Sequence, residues 1–258
     1  DDKIAWYENN GSESFTEHVI STSADGALDV HATDVDGDGD LDILSTSASD
    51  DKVTWYEQVG SPFKPATKTE LQTAVNLWIS DKATALSTYG VINSWNVSLI
   101  TDMSTLFENK STFNDDISGW DVSSVTNMYK MFKGASSFNQ NLSNWDVSNV
   151  TNMRKMFYYA TVFNGNISNW NVSGVGNMNA MFYHATNFNQ SLSGWDVSNV
   201  NDMSSMFQGA SNFNQVLSTW DVSSVTTMVN MFASASNFNA DISDWNVSSV
   251  TNMQSMFS

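Results

Sequence analysis

Seven tryptophans, Trp95, Trp120, Trp145, Trp170, Trp195, Trp220 and Trp245, stand 25 residues apart without an insertion or deletion. A fixed period of this size marks stacked units, each burying its apolar face against the next. Such repeats build extended surfaces more readily than one asymmetric active site, which weighs against catalysis.

An Ile or Leu stands three residues before each Trp (Ile92, Ile117, Leu142, Ile167, Leu192, Leu217, Ile242), and a Val two residues after it (Val97, Val122, Val147, Val172, Val197, Val222, Val247). The alternation of Trp and Val predicts a short strand. The period then changes. Met128, Met131, Phe132 and Ala135 fall at i, i+3, i+4 and i+7, which predicts a helix of about two turns. Thr126 is its expected N-cap. Thr101, Thr151, Thr226 and Thr251 repeat the cap, Asn201 stands in for it, and Gly176 departs from it. A Phe-Asn pair follows, as in Phe138-Asn139 and Phe163-Asn164. Its Phe is expected under the helix and its Asn to satisfy backbone groups in the return. Each unit reads as strand, helix and return. Stacked at strand spacing, the units predict a right-handed solenoid roughly 33 Å long, with a parallel sheet on one face and helices on the other.

The string W-[DN]-V-S-x-V-T-N-M-x-x-M-F-x-x-A-x-x-F-N-x-x-[IL]-S resembles the BspA-type leucine-rich-repeat surface proteins, whose repeats are common in mycoplasma lipoproteins and in surface proteins of marine Bacteroidetes. The resemblance covers about residues 90 to 258. It implies an α/β, leucine-rich-repeat-like solenoid of strand–helix units on a secreted or surface-displayed protein, often in adhesion. It implies no catalytic residues. Ahead of the repeats, Thr67 and Glu70 make a capping box, and Leu71, Ala74, Val75, Trp78 and Ile79 form an amphipathic stripe. A helix here is expected to cover the exposed edge of the first repeat. The chain closes on Phe257-Ser258 partway through a repeat, with Met253, Met256 and Phe257 uncapped. That reads as a fragment of something longer, or as an end made for end-to-end assembly.

Residues 1 to 60 carry 15 acidic side chains against Lys3 and Lys52. Among them Asp34, Asp36, Asp38, Asp40 and Asp42 alternate with Val35, Gly37, Gly39 and Leu41. Oxygen ligands at loop positions 1, 3 and 5, a Gly at 6 and a carboxylate at 9 suit a hard cation such as calcium. Ser45 fills position 12, where an EF-hand needs Glu, so this is not an EF-hand. Clustered carboxylates also repel one another unless a cation neutralises them. Leu41 and Ile43 predict a strand leaving the loop. The flanks Ile4-Ala5-Trp6-Tyr7-Glu8 and Val53-Thr54-Trp55-Tyr56-Glu57 lie 49 residues apart. Together these features resemble the FG-GAP or VCBS repeat of extracellular β-propellers. The resemblance implies a small all-β, blade-like unit with calcium held by the side chains of Asp34, Asp36, Asp38 and Asp42 and the carbonyl of Asp40. The expected domains are this unit over 1–60, a linker and helical cap over 61–94, and the solenoid over 95–258, with six full repeats and a truncated seventh.

The net charge of −18 and a pI near 4.1 argue against nucleic acid or an anionic membrane as partner. The absence of cysteine removes disulfides and thiolate chemistry. No stretch approaches the ~20 apolar residues of a membrane span. Function in a repeat protein belongs where the repeats differ. On the expected helical face, Tyr129, Lys130 and Lys133, then Arg154, Lys155, Tyr158 and Tyr159, then Tyr183 and His184, fall side by side on neighbouring units. They make a basic, aromatic candidate for binding a protein partner or an acidic glycan. A second ladder, Asn96, Asp121, Asp146, Asn171, Asp196, Asp221 and Asn246, follows the tryptophans and reads better as a soluble sheet face than as a site. The three histidines His18, His31 and His184 share no motif, and no nucleophile or phosphate-loop signature occurs. The sequence therefore points to a non-catalytic, calcium-stabilised module, extracellular and bacterial. It would recognise protein or glycan at a cell surface, or build a filament by self-assembly, or, more remotely, serve as the targeting arm of a secreted hydrolase.

Overall fold

The computed structural model describes residues 3–9, 15–33, 35, 42–49, 51–56 and 62–258. They form two compact units, one of residues 1–62 with 86–91 and one of residues 63–85 with 92–258. The first unit is all-β. Strands β1 (Ile4–Asn9) and β2 (Phe15–Ser21) pair antiparallel, and β3 (Ala27–Thr33), β4 (Asp42–Ser47) and β5 (Lys52–Tyr56) form a second antiparallel sheet with β4 in the centre. The strand expected to leave the acidic loop is β4, and the repeated Trp-Tyr flanks lie on β1 and β5. Trp6 stacks on His18 across β1 and β2 at 4.3 Å.

In the second unit, helix α1 (Lys68–Ser80) begins where the capping box places it. The Glu70 amide donates to Thr67 Oγ1 at 3.2 Å, and the Glu70 carboxylate accepts from the Ala66 amide. Leu71, Ala74, Val75 and Trp78 are buried. A second helix, α2 (Lys82–Tyr89), follows directly after Asp81, and its residues from Leu86 onward count with the first unit.

Residues 95–258 form a stack of 25-residue coils, but the unit is not the expected strand and helix. Neither a regular strand nor an α-helix occurs in this stretch, all of which is described. The segments around Trp are turns: the Trp145 amide donates to the Leu142 carbonyl, and the Val150 amide to the Val147 carbonyl, three residues back in each case. The inter-coil parallel bridges fall later, on the row Asp102, Asn127, Asn152, Asn177, Asp202, Thr227 and Asn252. The expected helix is a run of consecutive turns. Lys130 is left-handed at φ 55° and Gly134 at φ 71°, and the same two positions are left-handed in the following coils. A left-handed residue cannot continue a right-handed helix. Its amides alternate instead: Met131 and Lys133 donate three residues back, while Met128, Lys130 and Phe132 donate to Asn152, Arg154 and Met156 of the next coil. The i, i+3, i+4, i+7 stripe is nonetheless buried, because the turn run also returns those positions to one side.

The interior is built from repeated columns. Phe107, Phe132, Phe157, Phe182, Phe207 and Phe232 stack at 5.3 to 5.7 Å, and Phe113, Phe138, Phe163, Phe188 and Phe213 run beside them at 5.7 to 6.0 Å. The two columns touch within each coil, as at 4.2 Å between Phe132 and Phe138. Such offset ring pairs add ~0.5–1.5 kcal/mol beyond the area they bury. Trp145 and Trp170 lie parallel at 6.4 Å. Each indole also has a polar partner. Trp170 Nε1 donates to the Leu142 carbonyl at 2.9 Å, and Trp145, Trp195, Trp220 and Trp245 repeat the bond on Ile117, Ile167, Leu192 and Leu217. The Asn of each Phe-Asn pair accepts from the amide of the next one, from Asn114 Oδ1 through Asn214 Oδ1, at 2.7 to 3.0 Å.

Helix α1 covers the first coil. Trp78 and Phe63 meet Trp95 edge-on at 5.8 and 5.3 Å. Trp78 Nε1 donates to Asp115 at 2.9 Å, and Lys68 reaches Asp102 at 2.9 Å. Leu106 corresponds to Met131, whose carbonyl accepts from the preceding coil. No coil precedes Leu106, and Gln72 Nε2 takes its carbonyl at 3.0 Å.

The residues after each Trp are turn-formers rather than a strand ladder. Asp146, Asp196 and Asp221 each accept from the amide of the Ser two residues on, at 3.0 Å. Asn171 and Asn246 do the same at 3.2 Å. Hydrogen bonding from those serines, side chain first, holds the three carboxyls below the usual aspartate range.

Two expectations follow. Trp170→Phe keeps the ring and removes the donor to Leu142, and should cost about 1–2 kcal/mol in urea unfolding. Trp170→Ala also empties the column and should cost ~3–5 kcal/mol. For the lowered carboxyls, the stabilising contribution is complete above the unfolded aspartate value, about 3.9, and is lost as pH falls through the lower folded values. The triple variant Asp146→Asn, Asp196→Asn, Asp221→Asn should therefore lose less stability than the parent between pH 5 and pH 3, read as the urea midpoint at each pH (about the window set by the unfolded value). An equal loss in both proteins would show that these turns do not couple to protonation.

Candidate functional site

The turn run of three successive coils carries all nine candidate surface residues and brings them together. Backbone bonds set their spacing: the Lys130 amide donates to the Arg154 carbonyl at 3.0 Å, and the Tyr159 amide to the Tyr183 carbonyl at 2.7 Å. Two ring pairs result. Tyr158 lies parallel to Tyr183 at 4.4 Å and 5°, and Tyr159 parallel to His184 at 4.9 Å and 3°. The pairs are inclined to each other, with 64° between Tyr158 and Tyr159. Tyr159 is 44% exposed. The residues stand on a turn run, which corrects the helical face expected for them.

Cations surround the rings. Lys130 Nζ lies 4.9 Å from the Tyr129 ring centre and Arg154 Cζ 5.9 Å from it. Lys155 Nζ and Lys133 Nζ lie 5.6 and 6.0 Å from Tyr158. Such cation–ring contacts hold the cations at the rings while leaving their charge available. Glu108, which sequence reasoning overlooked, meets Lys133 at 2.9 Å and Lys130 at 3.8 Å. Its signal was present: Glu108 precedes Lys133 by one period. Burial raises the phenols of Tyr158 and Tyr183 above the ordinary tyrosine value; Tyr159 adds to both shifts and Tyr158 to that of Tyr183, while the hydrogen bond with Tyr183 partly offsets the shift of Tyr158.

Several of these side chains sit on unfavourable backbone. Lys130, Lys155, Tyr159 and His184 have φ between 52° and 57°. The other left-handed positions of the stack hold Thr105, Asn109, Gly134, Ala180, Ser205, Gly209, Asn230, Ser234 and Ser255. All the long or bulky side chains at left-handed positions in the stack thus belong to the patch. A non-glycine residue there costs ~1–2 kcal/mol, less for Asn and His, and such strain gathers at functional sites. Gly209 leaves room for the patch: a Cβ on it would stand 2.6 Å from His184 Nδ1.

Of the five aspartates expected to hold calcium, Asp34, Asp36, Asp38 and Asp40 lie outside the described residues. Asp42 opens β4, is 1% exposed, and accepts from the Val35 amide through Oδ2 at 3.0 Å. A carboxylate buried this far, tied to the start of the same loop, is compatible in chemistry and position with a hard cation. Among the described residues no three His, Asp or Glu side chains gather as a metal set. No helix of the described residues is long and apolar enough to cross a membrane.

Comparison with known proteins bears on both units. Residues 1–45 and 34–85 match the model of the FG-GAP-like repeat. Neither the curated proteins nor the solved structures gave a match. Residues 74–195 and 177–258 match a second family model and between them span the whole repeat stack. The chain belongs to the family described as Mycoplasma protein of unknown function, DUF285.

Proposed function

We propose that this repeat protein is a non-catalytic recognition module of a bacterial cell surface or secreted protein, and that the ring and cation patch of Tyr129, Arg154, Lys155, Tyr158, Tyr159, Tyr183 and His184 is where it holds a protein or glycan. One observation carries the reading: the only tyrosines of the repeats, and four of their five basic residues, converge on three adjacent coils. The buried positions recur from coil to coil, and a recurrent residue serves the stack. Tyr gives contact area at low entropic cost, and Tyr and Arg anchors carry most of the energy of an interface. The likeness to FG-GAP repeats supports an extracellular setting and a calcium ion on Asp34, Asp36, Asp38, Asp40 and Asp42. Bound there, the ion would neutralise the loop and lock β3 to β4, acting on stability rather than on a reaction. A leucine-rich-repeat kinship for the stack is part of the same proposal, at the level of sequence pattern only. Self-assembly into a filament is the second reading, favoured by coils that bond to their own kind.

Binding to an arrayed set of glycans and surface proteins tests the patch. The double variant Tyr158→Ser, Tyr183→Ser should bind its partner at least about tenfold more weakly, with stability lowered only by the lost ring contact, ~0.5–1.5 kcal/mol. Binding equal to the parent's would refute the assignment. Calcium should raise the thermal transition of the N-terminal unit, by an amount that grows with its concentration. A transition identical in calcium and in excess chelator would remove calcium from the reading.

A further inference from the structure

We infer that the ligand of this patch is an anionic polysaccharide, its carboxylate or sulfate groups met by Arg154 and Lys155 and its sugar rings laid against the exposed ring of Tyr159. The inference rests on the patch being a recognition surface and specifies what that surface takes.

Charge is the first argument. The chain holds 28 acidic residues against 10 basic ones, so an anion is repelled from most of its surface. Lys130 and Lys133 share Glu108. Among the described residues, Arg154 and Lys155 have no carboxylate partner; they rest on the rings of Tyr129 and Tyr158. Two uncompensated cations side by side on an acidic protein make a local field that favours an anion. Cations held by ring faces, rather than by carboxylates, need not break an ion pair to accept one.

Shape is the second. Tyr158 to Tyr183 and Tyr159 to His184 are steps of one coil along the stack. The rings therefore form two short rows along the direction in which the coils repeat, with Arg154 and Lys155 on the same coil as the first ring of each row. A linear polymer lying along the rows meets the cations and the ring edges in succession, as one knob of a globular partner does not. Backbone strain is the third. Tyr159 takes a φ of 57° at a position that is Gly134 one coil earlier and Gly209 two coils later. The stack itself is well served by glycine there, so the ring answers to something outside the stack.

The whole chain should be titrated with hyaluronan, which offers carboxylates, dextran sulfate, which offers sulfates, and unmodified dextran, at low and at high salt. We expect binding of one or both anionic polymers, none of dextran, and a loss of roughly tenfold on raising the salt. Hyaluronan alone would identify the group as carboxylate, and dextran sulfate alone as sulfate. Arg154→Gln with Lys155→Gln should weaken binding about tenfold or more. Tyr159→Gly should weaken it while the urea midpoint stays level or rises, an outcome that a purely structural ring would not give. Binding of dextran as tight as that of the anionic polymers, no binding of either anionic polymer, or binding unchanged in Arg154→Gln, Lys155→Gln would overturn the inference. The patch assignment would survive that failure if Tyr158→Ser, Tyr183→Ser still lost a protein or neutral glycan found by array. Anionic polymer binding indifferent to all of these substitutions would sink both.

Discussion

The stack hangs on a carbonyl with two donors. Leu142 accepts from the amide of Trp145 in its own coil and from the indole of Trp170 in the next. A carbonyl oxygen has two lone pairs, and here both are used in an apolar interior where an unmet polar group would be expensive. The first bond fixes three residues between Leu and Trp. The second fixes 28, which is one period plus the same three. The local motif and the long period are thus one requirement, and an inserted residue between them would leave a buried indole without its acceptor. The phenylalanine columns and the asparagine ladder inherit their spacing from it, since ring stacking and Asn-to-amide bonds each tolerate only a narrow range of distance.

Much of the interior was legible from the residues. Trp145, Val147, Met153, Met156, Phe157, Ala160 and Phe163 are all buried, as their recurrence requires. Helix α1 was legible too, because Thr67 and Glu70 mark its start and a stripe of five apolar residues marks its face. The error lay in the step from stripe to helix. Met128, Met131, Phe132 and Ala135 return to one side every three to four residues, and a string of tight turns does that as well as an α-helix. The difference shows at the positions between them. Outside the patch, Thr, Ser, Ala, Asn and Gly occupy the left-handed sites, and several of these are poor helix formers. A hydrophobic pattern reports which side a residue faces; it does not report where its amide goes.

The same distinction governs the surface. The patch could be found because Tyr, Lys and Arg break a pattern that otherwise repeats, and one coil of offset places them as neighbours whatever the local backbone. Its strain could not be found, since φ has no signature in a single residue type such as Tyr159. Nor could the turn-forming role of Asp121, Asp146 and Asp196, whose oxygens meet the backbone two residues ahead. A carboxylate alternating with Ser looks alike on paper whether it faces water from a strand or closes a turn.

The direction of the inter-coil bonds has a further consequence. Along the turn run, amides point to the coil ahead: Met128 to Asn152, Phe132 to Met156. Beside it they point to the coil behind: Thr151 to Thr126, Asn187 to Thr161, with the indoles doing likewise. The contact face of each coil therefore presents donors along one side and acceptors along the other. Two such faces mate in a single rotational setting, like a polarised plug. A coil turned about the axis would set donor against donor and acceptor against acceptor. The chain is thereby protected from a fault to which its own near-identical repeats expose it: coils can find the wrong neighbour by a whole period, but they cannot join one another askew.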